Sequence, residues 1–176
     1  MVMEHARRHG YPAPRVVRIG DNELVVERLD GSTMARVLRR RPWLAPRYAA
    51  LLARLHRQLH LIDAPAELPG AGPGRTLVHL DFHPENVLMT PAGPVVIDWT
   101  NARRGEPALD VALTWVILAT SAGLAGRAFA SLYLRHFDRD PVARVLPAAG
   151  DRRLNDPNVD DREQAAVRRL VARQRR

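Results

Sequence analysis

The 176-residue chain is 46% hydrophobic and 26% charged, which gives enough apolar material for one core and too little length for two full domains. It has no cysteine, which excludes a disulfide framework, a thiolate zinc site and a cysteine nucleophile. The formal charge is +8, but all 27 basic residues are arginines, dispersed and without interleaved aromatics to stack bases, so no nucleic-acid partner is expected.

The first residues, Met1-Val2-Met3-Glu4-His5-Ala6-Arg7-Arg8, have no apolar leader and read as the last turns of a helix that stops at Gly10 and the prolines Pro12 and Pro14. Two short branched runs, 16–19 and 23–29, flank Gly20-Asp21-Asn22, the pattern of two strands joined by a tight turn. Asp30-Gly31-Ser32-Thr33 punctuates next, with Ser32 or Thr33 as a helix N-cap. From Trp43 to Leu61 the apolar positions Leu44, Tyr48, Leu51, Leu52, Leu55 and Leu59 recur at helical intervals and predict a long amphipathic helix.

A proline- and glycine-rich loop follows over 64–74. Strand-like pieces are predicted at 76–78, 86–89 and 95–97, with Pro91-Ala92-Gly93-Pro94 as the turn between the last two, and helices near 108–121, 124–138, 141–149 and 161–174. The uncharged run 111–126 falls short of the roughly 20 residues a membrane span needs and reads as a buried helix. No membrane partner and a cytoplasmic location are expected. The fold class is α+β, with a small strand cluster on a mainly helical body. Trp43 and Trp115 are assigned to the core.

The chemistry concentrates in His79-Leu80-Asp81-Phe82-His83-Pro84-Glu85-Asn86-Val87-Leu88 and Val95-Val96-Ile97-Asp98-Trp99. One strand ends at His79 and Asp81, a loop turns the chain, Asn86 opens the next strand and Asp98 closes its neighbour. Three oxygen-bearing side chains, Asp81, Asn86 and Asp98, are therefore expected at one end of a single small sheet. Such donors suit a hard divalent cation whose remaining ligands are water and phosphate. An aspartate beside that cation can accept a hydroxyl proton as general base. The spacing matches the kinase catalytic loop H-x-D-x-x-x-x-N with a second aspartate downstream.

These two segments, with Gly105-Glu106-Pro107-Ala108-Leu109-Asp110-Val111-Ala112, resemble the aminoglycoside phosphotransferase family. That family shares the protein-kinase-like fold with choline kinases and eukaryotic protein kinases. His83, two residues after Asp81, resembles its small-molecule branch, and Gly10-Tyr11-Pro12-Ala13-Pro14 and Val25-Val26-Glu27-Arg28-Leu29-Asp30-Gly31-Ser32 resemble its inter-lobe region.

The resemblance implies ATP- and Mg2+-dependent phosphoryl transfer to a hydroxyl of a small molecule. Asp81 would be the catalytic base, Asn86 and Asp98 the magnesium ligands, and Glu27, Arg28 and Leu29 the segment meeting the adenine. His79 and Asp110 would support the loop, and His83 and Trp99 would touch substrate. Residues 1–30 would be a remnant of the N-terminal lobe and hinge, and 31–176 the C-terminal catalytic lobe. No lysine exists to hold phosphates, and no glycine-rich segment precedes Gly10, so weak or absent activity alone is expected.

Other readings stay open beside this one. His79, Asp81 and His83 could ligate zinc in a hydrolase, and the chain could be a non-catalytic, decayed kinase-like module. His56 and His60, spaced i and i+4, could bind zinc in principle, but no third ligand is evident. Acidic walls for a cationic acceptor would come from Asp138, Asp140, Asp151, Asp156, Asp160 and Asp161, but interspersed arginines leave the local field open. An exposed apolar face where a lobe would sit is expected to drive self-association.

Overall fold

The computed structural model describes residues 1–21 and 23–174. Helix α1 (Val2–Arg8) buries Met3 and Ala6 and ends at Gly10, whose φ of 75° is a left-handed conformation that glycine adopts without a Cβ penalty. Strands β1 (Val16–Ile19) and β2 (Leu24–Val26) then form an antiparallel hairpin. Thr33 caps α2 (Met34–Arg40) by accepting a hydrogen bond from the Arg36 N–H, as expected for a hydroxyl at that position. Ser32 and Thr33 also form a two-residue strand, β3, that pairs with Met89 and Leu88.

The amphipathic segment becomes α3 (Ala45–Leu59), preceded by a 3-10 turn at Pro42–Leu44, and it buries Ala49, Leu52, Ala53, Leu55, His56 and Leu59. Trp43 is not a core residue. It lies on the short turn before the helix, outside the buried stripe, and is 71% exposed.

The expected single sheet is two ladders. β4 (Thr76–Val78) pairs with β7 (Arg103–Gly105), whereas β5 (Val87–Thr90) pairs with β6 (Gly93–Val96) and with β3. Strand β7 carries no branched or alternating pattern and is a strand only because its backbone completes the edge of β4. Four helices follow: α4 (Pro107–Ser121), α5 (Gly123–Leu134), α6 (Arg139–Leu154) and α7 (Asp161–Gln174).

Helix α4 is apolar nearly all round and is accordingly buried, packed by α5, α6 and α7. One continuous core runs from Met3 and Ala6 through α3, β4 and α4 to Val167 of α7. The hairpin touches it through Val16, while Val17, Ile19, Leu24 and Val26 are exposed, Ile19 by 64%. Among the described residues no helix is long and apolar enough to cross a membrane.

Candidate active site

Asp110, in the first turn of α4, is fully buried, and its two carboxylate oxygens accept the backbone N–H groups of His79 and Leu80, each at 2.8 Å. That clamp holds Leu80 at a left-handed φ of 60°, a conformation that costs a branched residue on the order of 1 kcal/mol and aims the next side chain, Asp81, away from the core. One turn further along α4, Thr114 donates its hydroxyl to the Phe82 carbonyl at 2.8 Å. Two side chains of one helix thus hold the loop on either side of Asp81. Thr114 escaped the sequence reading because a threonine within an apolar helix gives no signal of its partner.

Asn86 lies at the other end of the loop, nearly buried, and its amide nitrogen donates to both the Asp81 carbonyl (2.9 Å) and the Asp81 carboxylate (3.0 Å). His83 Nε2 stands 3.2 Å from the other Asp81 oxygen. Burial would raise the Asp81 pKa, but His83 and Asn86 outweigh it and hold the carboxyl below its ordinary value, so Asp81 is ionised at neutral pH. Glu85 is tied outward by Arg39 (2.7 Å) and by the Thr33 hydroxyl (2.8 Å), which anchors the loop to α2.

Asp98 follows β6 and takes a left-handed φ of 59°. It lines a polar cavity of about 760 Å3 together with Asp81, and also a largely apolar cleft of about 520 Å3 bounded by Val26, Glu27, Leu29, Leu88 and Ile97. His79 spans the two ladders: its buried ring donates from Nε2 to the Ile97 carbonyl at 3.1 Å, fixing the start of the Asp81 loop against the residue before Asp98. Burial lowers the His79 pKa, which keeps the ring neutral in that role.

The predicted segment 27–29 is divided. Glu27 and Leu29 line the apolar cleft, whereas Arg28 is exposed and pairs with Asp30 at 3.6 Å. The Glu27 carboxylate is occupied, accepting the Arg15 N–H at 2.7 Å. Of the two residues expected near substrate, His83 borders an open cavity of about 690 Å3. Trp99 is 5% exposed, with its indole N–H given to the Val96 carbonyl and its ring edge-on to Tyr11.

The histidine pair on α3 has a third neighbour that the sequence did not reveal. His56 and His60 each place Nε2 3.1 Å from Asp110 Oδ2, and these are the only three histidine or acidic donors that gather within 4.8 Å among the described residues. Burial is the largest influence on His56 and lowers its pKa to about 4 despite Asp110, so the ring is neutral. Its Nδ1 meets the Tyr133 hydroxyl. Burial opposes charge on Asp110 too, but the two histidines and the two backbone N–H groups hold it well below the carboxylate range. The cluster is a buried anchor for the loop. The set His79, Asp81 and His83 that a zinc hydrolase needs does not assemble, since the His79 ring turns inward to Ile97.

The sequence model of the phosphotransferase enzyme family matches residues 61–146, the stretch that carries this loop, strands β4 to β7 and α4. No curated protein matches the chain in sequence. Among solved structures, a thermostable mutant of aminoglycoside phosphotransferase APH(4)-Ia superposes with a TM-score of 0.72 at 18% identity, covering 96% of this chain and 81% of that one. A choline/ethanolamine kinase family protein from Mesorhizobium loti gives 0.60 at 17% identity, covering 99% and 75%. An aminoglycoside-3'-phosphotransferase of type VIII gives 0.58 at 20%, covering 98% and 77%. At these identities the likeness establishes the α+β, protein-kinase-like fold. With the family match confined to residues 61–146, the clamped loop and the strands and helices around it are similar to the phosphotransferase enzyme family.

Proposed function

We propose that this chain is an ATP- and Mg2+-dependent phosphotransferase acting on a hydroxyl of a small molecule. The observation that carries the reading is the position of Asp98 on the wall between the apolar cleft and the polar cavity, with ionised Asp81 in the latter. Adenine enters the cleft between Leu29 and Leu88, the acceptor hydroxyl enters the cavity, and Asp81 takes its proton. Asn86 and Asp98 hold the magnesium ion, and the oxygen chemistry of these donors fits it: the Asn86 carbonyl oxygen has no hydrogen bond among the described residues. When bound, the ion neutralises charge developing on the phosphates.

His79 and Asp110 position Asp81, and the absence of lysine makes turnover slow. Calorimetric titration with ATP tests this. Binding that requires Mg2+ and weakens in Asp98→Asn is expected; no Mg2+-dependent binding at millimolar ATP overturns it.

The apolar hairpin face supports pairing with a second copy through Ile19 and Leu24. Sedimentation should show a dimer that Ile19→Lys converts to monomer, whereas a monomer at every concentration refutes the pairing.

A further inference from the structure

Beyond Asp81 and Asp98, the polar cavity is lined by few of the acids expected to wall in a cationic acceptor. Of Asp138, Asp140, Asp151, Asp156, Asp160 and Asp161, only Asp156 reaches it. Asp156 is spent: its carboxylate receives the Arg153 guanidinium at 2.7 Å and the Asn158 N–H at 2.9 Å. Arg153 is spent in turn, since it also pairs with Glu163 at 2.8 Å.

Arg152, one residue earlier in the last turn of α6, is different. It lines the same cavity, is partly buried, and makes no hydrogen bond or ion pair with any described residue. Burial first, and then the positive charge of Arg103, press its pKa down against the opposing pull of Asp110. A partly desolvated arginine without a partner gains from a carboxylate or phosphate, two of whose oxygens its fork can meet with parallel hydrogen bonds. Asp98 shares the cavity but stands beyond ion-pair distance, and in the proposed function it is committed to magnesium.

Building on that function, we infer that the acceptor is a hydroxyl compound bearing a carboxylate or phosphate, and that Arg152 binds this anionic group. One cavity then offers Asp81 for the hydroxyl and, from the end of α6, Arg152 for the anion. Asn155, which lines the same cavity, adds a neutral amide for further hydroxyls.

The test uses one sugar scaffold in four charge states. Glucuronate, glucose 6-phosphate, glucose and glucosamine are titrated into the full chain at low ionic strength, and Mg–ATP is titrated separately. A charge-assisted contact of the usual strength predicts that one of the two anions binds about 10–100-fold more tightly than glucose or glucosamine. Whichever anion binds better tells carboxylate from phosphate. Arg152→Gln should erase the difference and leave Mg–ATP affinity unchanged, whereas Arg127→Gln, exposed on α5, should retain it. In the unsubstituted chain, the Arg152 Nε–H resonance should shift with the preferred anion.

The inference is overturned if glucosamine binds best, if no preference exists, if the preference survives Arg152→Gln, or if that variant loses Mg–ATP instead. Arg152-dependent anion binding without any Mg–ATP binding would remove the phosphotransferase reading and leave the anion site standing.

Discussion

Asp81 and Asp110 both carry negative charge, in opposite surroundings. Asp81 opens onto a cavity and is steadied by His83 and Asn86, so its substitution should change chemistry more than folding. Asp81→Asn is expected to lower phosphoryl transfer by about 10²–10⁴-fold while Mg–ATP binding persists, as single-turnover kinetics would show. Asp110 is enclosed by two histidines and two backbone N–H groups. Removing one partner of such a buried set leaves the rest uncompensated, so Asp110→Ala should cost about 3–5 kcal/mol in urea denaturation. The spacing of 79–86 made the loop legible from sequence. The partnership of Asp110 with His56 and His60 was not, because these residues are brought together by packing α3 against the loop and α4.

The periodic segment of α3 was read to within two residues at each end, since an apolar stripe every three to four positions has one cheap way of being buried, whereas α6 runs on to Leu154, past the expected end at residue 149. The junction between α4 and α5 depends on a detail that periodicity does not encode. Gly126 is buried there, and a Cβ would collide with the Leu118 carbonyl and with Ala122. Gly126→Ala should therefore push α5 outward and destabilise the fold by about 1–3 kcal/mol, measurable in thermal or urea unfolding. Strand β7 is the complementary case. Arg103-Arg104-Gly105 has no strand signature, and only the unpaired edge of Thr76–Val78 makes it one.

The whole molecule should be acid-sensitive for a reason that its basic composition hides. His56 is neutral in the folded state, with a pKa of about 4 against 6.5 when unfolded, and burial lowers His79 in the same direction. Below pH 6.5 the unfolded chain takes up protons that the folded chain refuses, so stability present above that pH is lost as pH falls toward 4. The His56 shift alone corresponds to about 3 kcal/mol. Asp110 adds a further loss below the ordinary carboxylate range. Melting temperatures recorded from pH 8 to pH 4 should decline through this window, and His56→Gln should flatten the slope; a level profile would contradict the neutral buried ring.

The amino-acid order by itself determined the helical body and the loop over residues 79–86, because each is written in spacing along one segment. It did not determine that β4 and β5 belong to separate ladders, that Trp43 faces solvent, or that Arg152 lines the same cavity as Asp81 without an ion pair among the described residues. Those outcomes depend on which distant groups meet. Whether a charge is neutralised or left for a ligand is settled by the groups that packing brings beside it: Glu163 and Asp156 close around Arg153, whereas among the described residues Arg152 makes no ion pair.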